Sequence, residues 1–250
     1  MALFEIRGLR KAFGRHEVLS GLDLDIVDGE VLTIIGESGS GKSILLKAMM
    51  GLIEVDAGTI RFDGIEVTGQ DERKWTQTRR RIGMLFQESA LFDSLDVYEN
   101  VAYALREQTT MSEDEIATRV AETLGLVGLP GIEPMSPSNL SGGMRKRVAL
   151  ARAVAVRPAV VFYDEPAEGL DPINVTRVNR LILGLQQKLR VTSVVVTHNL
   201  KAAFAISDRL ALIHDGTVEA TGAPDSILES EDPVVREFIG DRMRLVLRAS

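Results

Sequence analysis

Apolar residues in the first third of the chain fall in short β-rich runs at residues 3–6, 18–26 and 31–35, and a helical period follows from about 42 to 50. A glycine-rich stretch separates the third run from that helix, so the local order is strand, loop, helix. Residues 58–68 predict a hairpin, with Thr59, Ile60 and Phe62 on one side of an Asp63-Gly64 turn and Ile65 and Val67 on the other. From about 96 to 156 the helical period takes over. There Asp96…Glu99 and Ser112…Glu115 have the spacing of capping boxes, in which each end satisfies a free amide. Strand runs return at 160–163, 192–196 and 210–213 with helical stretches between them, the βαβ rhythm of a mostly parallel sheet. The pattern predicts an α/β core with an antiparallel β piece near its start and an inserted α-helical subdomain.

Composition narrows the chemistry. The 250 residues carry 29 Lys and Arg against 36 Asp and Glu, a formal charge of -7, which offers no general footprint for nucleic acid, and none is expected as a partner. There is no cysteine, so disulfides, thiolate zinc sites and cysteine nucleophiles are excluded, and His16, His198 and His214 are the whole supply of imidazole. Apolar runs such as 31–35 and 194–196 are far shorter than the roughly 20 residues of a membrane-spanning helix. The first residues lack a basic region followed by an apolar stretch and a cleavage site, so the default expectation is a cytoplasmic protein.

Residues Gly36-Glu37-Ser38-Gly39-Ser40-Gly41-Lys42-Ser43 satisfy G-x-x-x-x-G-K-S directly after an apolar strand and at the start of a helix. Glycines let successive amides turn inward around phosphate oxygens, the helix start adds positive potential, and Lys42 neutralises the β and γ phosphates. Ser43 is the expected Mg²⁺ ligand. A second apolar strand ends in Val160-Val161-Phe162-Tyr163-Asp164-Glu165, and neighbouring strand side chains point to opposite faces, so the two carboxylates can divide the work. Asp164 suits the Mg²⁺ coordination shell and Glu165 suits a general base that polarises the attacking water.

With a third motif, Leu140-Ser141-Gly142-Gly143-Met144 at the start of a helix, the chain resembles the ATP-binding cassette (ABC) ATPases over nearly its whole length. Met144 departs from the family's usual glutamine. The resemblance implies a P-loop, RecA-like core and a dimer with two sandwiched ATP molecules, in which Ser141, Gly142 and Gly143 meet the ATP held by the other subunit. Ser141 also suits an ordinary N-cap, and the basic run Arg145-Lys146-Arg147 behind it reads as a partly solvated helix face. The resemblance further implies that Phe13 stacks on adenine, although an aromatic there serves equally as core. Gln87 would be the glutamine that meets Mg²⁺, Asp171 a residue of the dimer interface, and His198 the switch histidine on the γ-phosphate. His198 precedes Asn199, where many members have aspartate. His16 and His214 belong to no motif and read as surface or satisfied polar residues. The implied organisation is a nucleotide-binding core with its β subdomain at 1–87, a helical subdomain with the signature motif at 88–156, the core continued at 157–231, and a C-terminal helix and extension at 232–250.

Residues 86–92, Phe-Gln-Glu-Ser-Ala-Leu-Phe, with 100–107, Asn-Val-Ala-Tyr-Ala-Leu-Arg-Glu, are similar to the ATPases of the Mla and related Mce-associated lipid transporters. That likeness implies phospholipid movement between bacterial inner and outer membranes. It also implies a permease, an Mce-domain lipid-binding protein, a small STAS-domain partner, and a place on the cytoplasmic face of the inner membrane. An ATPase of an amino-acid-type importer and a soluble, non-transport cassette are the alternatives. Arg242, Arg244 and Arg248 stand among apolar residues, and the segment 242–250 is expected to reach the other ATPase or the STAS partner.

Overall fold

The structure is a computed structural model that describes residues 1–240 and 243. Apart from Met243, the expected reach of 242–250 toward a partner lies outside the described residues. In chain order the elements are β1 (Ala2–Phe13), β2 (His16–Val27), β3 (Val31–Gly36), α1 (Lys42–Met49), β4 (Ala57–Phe62), β5 (Ile65–Glu66), α2 (Glu72–Arg79), β6 (Ile82–Leu85), α3 (Val97–Gln108), α4 (Glu113–Leu126), a 3-10 turn (Pro137–Asn139), α5 (Gly142–Val154), β7 (Val160–Asp164), α6 (Pro172–Leu189), β8 (Thr192–Val196), α7 (Leu200–Ile206), β9 (Arg209–His214), β10 (Thr217–Gly222), α8 (Pro224–Leu228) and α9 (Pro233–Ile239). The chain divides into two compact units, Met1–Thr78 with Thr192–Ser250, and Arg79–Val191.

The first unit holds an antiparallel sheet in the order β2-β1-β4-β5. Strands β1 and β2 run 12 residues each, well beyond the apolar runs that announce them. Register shifts between Ile6 and Leu9 and between Lys11 and Ala12 interrupt the two-residue alternation, so periodicity shows only fragments of each strand. In its other sheet β3 pairs in parallel with both β8 and β9, and β10 closes antiparallel on β9. All residues of β3 and β8 are buried, the continuous apolar reading of strands covered on both faces. Helices α7, α8 and α9 contribute Ala203, Ile227, Leu228, Val235 and Ile239 to the cluster around Ile35, Leu210 and Leu212, against which Met243 also packs.

The second unit pairs β6 with β7 in parallel, Ile82 opposite Val160 and Leu85 opposite Tyr163. Gly83 is required there, because a Cβ on it would stand 2.5 Å from the carbonyl oxygen of Ala153 at the end of α5. Ser112 and Glu115 form the reciprocal capping box at the start of α4. At α3 only half of the expected box exists. Asp96 accepts from the Glu99 amide, but the Glu99 carboxylate turns to Arg106, which also donates to Glu113 at 2.9 Å. A guanidinium that bridges two carboxylates outcompetes one backbone amide for Glu99. No helix among the described residues is long and apolar enough to cross a membrane.

Candidate nucleotide-binding site

In the first unit the loop at 36–43 leaves the carboxyl end of β3, where open α/β sheets bind their ligands. Its shape is a backbone property. Gly41, the N-cap of α1, has φ 98°, and a Cβ there would lie 2.9 Å from the carbonyl of Val18. Gly41 offers no side chain to close over the first-turn amides of α1, which suits a phosphate cradle. Gly36 ends the strand, and Glu37, Ser38 and Gly39 are exposed in the loop. Lys42 is buried, with Nζ donating to the carbonyls of Gly36 at 3.0 Å and Glu37 at 2.6 Å. Ser43 follows on the first turn of α1.

A cavity of about 400 Å³ borders this loop, lined by Glu37–Ser40, by His16–Val18 and by Ile213–Gly216. His16 and His214 therefore sit at the mouth of the phosphate loop, a placement that no motif announces. Phe13 pairs with His16 across the hairpin turn, is 49% exposed, and carries the Lys11 ammonium 5.4 Å from its ring centroid. That exposure removes the core alternative for Phe13. His198 is exposed just beyond β8, and the amide of Thr197, between the strand and the histidine, donates to the Ile34 carbonyl at 3.3 Å, so the histidine leaves the sheet beside the phosphate loop's own strand. Asn199 explains its departure from aspartate: its side chain caps α7 by accepting from the Ala202 amide at 3.0 Å, which asparagine does as well as aspartate.

The second unit gathers the other motif residues. Gln87 and Glu165 each lie two residues beyond the paired Leu85 and Tyr163, at the carboxyl ends of adjacent parallel strands. Asp164 ends β7 and is 8% exposed. Glu165 begins the next turn at φ 46°, left-handed backbone that residues with a side chain adopt at a cost. The exposed Gln87 donates its amide to the carboxylate of Glu168 in that same turn. Ser141 is an N-cap, accepting from the Met144 amide at 3.3 Å, with Gly142 exposed after it and Gly143 facing Asn174. Asp171 caps α6, accepting from the amides of Ile173 and Asn174 and from the Asn174 side chain, and these bonds, that of the Asn174 amide first, hold its carboxyl below the usual range.

The basic run is partly solvated, with Arg145 exposed and Arg147 half-buried, but Lys146 within it is buried. Lys146 is 8% exposed and donates to the carbonyls of Glu168 at 2.8 Å and Glu165 at 3.3 Å. Burial pulls its pKa below the usual lysine value, against the opposing charges of Glu168 and Glu165. Arg145 donates to the Leu140 carbonyl, and Arg147 to those of Val127 and Gly128. Lys146 and Arg147 thus tie down loops 19 to 22 residues away, while Arg145 bonds back to its own helix start. Asn100, the first residue of the 100–107 segment, is fully buried and has a tethering role that the sequence does not announce. Its amide group donates to the carbonyls of Phe92, Leu95 and Asp96 and accepts from the Phe92 amide, and this holds the exposed Phe92 ring 5.4 Å from Tyr103 and against Arg152.

The ABC transporter family model matches residues 19–168. This chain belongs to the ABC transporter family. As an ABC ATPase it binds and hydrolyses ATP. It is 39% identical over 238 residues to the probable ribonucleotide transport ATP-binding protein mkl of Mycobacterium leprae, covering 95% of this chain and 69% of that protein. It is 40% identical to the sulfate/thiosulfate import ATP-binding protein CysA of Caulobacter vibrioides, over 96% of this chain and 70% of the other. It is 38% identical to the intermembrane phospholipid transport system ATP-binding protein MlaF of Haemophilus influenzae, over 95% and 90%. A solved ATP-binding cassette, dimeric in a post-hydrolysis state with ADP and Pi, aligns with TM-score 0.81 and 31% identity over 88% of this chain and 98% of its own. The hydroxyl of Ser43 in the first unit, and the amide of Gln87 and the carboxylate of Asp164 in the second, are oxygen donors of the hard type that Mg²⁺ takes.

Proposed function

We propose that this ABC ATPase drives phospholipid transport between bacterial inner and outer membranes, as a dimer of two copies with two sandwiched ATP molecules. One observation carries the lipid reading. The relative named for intermembrane phospholipid transport is matched over 90% of its own length, against 69% and 70% for mkl and CysA, and residues 86–92 and 100–107, which place Phe92 and Tyr103 exposed beside each other, are similar in sequence to lipid-transporter ATPases. In this reading the surface meets a membrane permease, which holds the ATPase peripherally at the cytoplasmic face of the inner membrane. An Mce-domain lipid-binding protein and a STAS-domain protein complete the assembly.

The residue roles follow from the two loops. The amides of residues 36–43 cradle the phosphates, and Lys42 leaves the carbonyls of Gly36 and Glu37 to neutralise the β and γ oxygens. Phe13 stacks on the adenine, and His198 contacts the γ-phosphate. Ser43, Gln87 and Asp164 would hold Mg²⁺, which would supply charge neutralisation for the phosphate oxygens. Glu165 takes the proton of the attacking water, a general-base contribution of about 10²–10⁴ in rate. Ser141, Gly142 and Gly143 face the ATP of the second copy, and Asp171 lies at the contact of the two. Closure by ATP and reopening after hydrolysis are two states of the dimer that bound nucleotide distinguishes, and Gln87 with the helices around it passes the difference to the permease.

The test is capture of the closed state. Tagged Glu165→Gln protein, purified with ATP from its native membranes, is expected to bring down a permease, an Mce-domain protein and phospholipid by mass spectrometry. Recovery with a sulfate, nucleotide or amino-acid permease would leave the ATPase standing and overturn the lipid pathway.

A further inference from the structure

The turn after β7 carries the proposed base, and its conformation is not one that its own residues prefer. Glu165 is in left-handed backbone, a state that persists only where the surroundings hold it. Its carbonyl accepts from the Glu168 amide at 3.2 Å and from Lys146 at 3.3 Å, while the Glu168 carbonyl accepts from Lys146 at 2.8 Å. One ammonium therefore closes both ends of the turn. Lys146 stands on the buried face of α5 with Ala149, Leu150 and Ala153, one and two turns further on. An apolar side chain would pack there without desolvating a charge, so packing does not explain the lysine.

We infer that Lys146 is a positioning residue for hydrolysis, whose ammonium sets the backbone of the Glu165–Glu168 turn and through it the aim of the Glu165 carboxylate. The inference rests on Glu165 being the base. It also gives the signature helix a second task. The helix whose start presents Ser141, Gly142 and Gly143 carries, one turn on, the cation that holds the same chain's hydrolytic turn. Contact of the helix start with a second copy is thereby felt at Glu165.

Lys146→Met removes the donors, keeps much of the length and relieves the desolvated charge, so the full-length variant is expected to fold with a melting temperature no lower than the parent's. Its kcat for ATP should fall about 10- to 100-fold, the scale of an ångström-level misplacement, with KM and equilibrium ATP binding within about twofold. Lys146→Arg, which retains donors at similar reach, should recover a substantial part of kcat. Glu165→Gln and the double variant Glu165→Gln/Lys146→Met should turn over equally slowly, because Lys146 acts through Glu165. A Lys146→Met protein that keeps its kcat while Glu165→Gln is inactive overturns the role of Lys146 alone. Equal losses in kcat, ATP binding and melting temperature, or no recovery with arginine, would make Lys146 a structural residue. Full turnover by Glu165→Gln would remove the base assignment and this inference with it.

Discussion

The phosphate loop and the turn after β7 both follow a buried parallel strand, yet they are held by opposite means. The phosphate loop is shaped by its own backbone: Gly41 at φ 98°, the Ser40 amide on Glu37, and Lys42 folded back onto Gly36 and Glu37, six and five residues away. The turn after β7 is shaped by visitors. Lys146 reaches it from 19 and 22 residues away and Gln87 from 81. A loop closed by local conformation needs fixed residue types at fixed spacing and so leaves a motif. A loop closed by distant side chains leaves isolated lysines and glutamines that look ordinary in any window.

The contrast can be broken most forcefully at Gly41. Gly41→Ala forces an L residue to φ 98° with its Cβ 2.9 Å from the Val18 carbonyl, and calorimetry should show ATP affinity reduced about 100-fold, roughly 2.7 kcal/mol. Unchanged affinity would mean that backbone shape is not what makes this loop a phosphate site. A smaller effect is expected at Asn100, a side-chain tether of the second unit. Asn100→Leu takes the side-chain partner from the Phe92 amide and the Leu95 carbonyl, while the Phe92 and Asp96 carbonyls keep the amides of Leu95 and Asn100; it costs about 1–3 kcal/mol and should lower the melting temperature by about 2–12 °C while ATP affinity in the phosphate loop is preserved. A matching loss of affinity would show that the two loops are not independent.

The smallest effect belongs to Asp171, a local cap on a segment otherwise held from afar. Its folded carboxyl lies below the ordinary value of 3.8, so on acidification the unfolded chain protonates first. The stabilisation is complete above that value and is lost as pH falls through the folded one. Melting curves of Asp171→Ala and the parent should therefore differ by a constant few degrees near neutrality and converge below about pH 4. A gap that survives well into acid would place the effect in something other than the carboxylate.

Legibility followed the same division. The sequence of β3, loop and α1 could be read because a buried strand, a glycine turn and an amphipathic helix each carry a local signal. Strands β1 and β2 were read short because their bulges reset the alternation. Helix α2 escaped because Trp75 is its one buried residue, and a single apolar position has no period. Lys146 read as solvated for want of any local sign that the carbonyls of Glu165 and Glu168 cover it. His16 and His214, 198 residues apart in number, meet at the cavity beside the phosphate loop only because β2 and the β9–β10 turn converge there.

What the amino-acid sequence determined by itself is the set of chemical groups and the strand, loop and helix order that brings a glycine-rich turn and two carboxylates to strand ends, since these depend on interactions within a few residues. Only the tertiary structure decided which side chains hold those groups in place. The partners of Lys146 and Gln87 are backbone and carboxylate atoms of other segments, and whether such a polar group is buried and satisfied is settled by packing that no single segment contains.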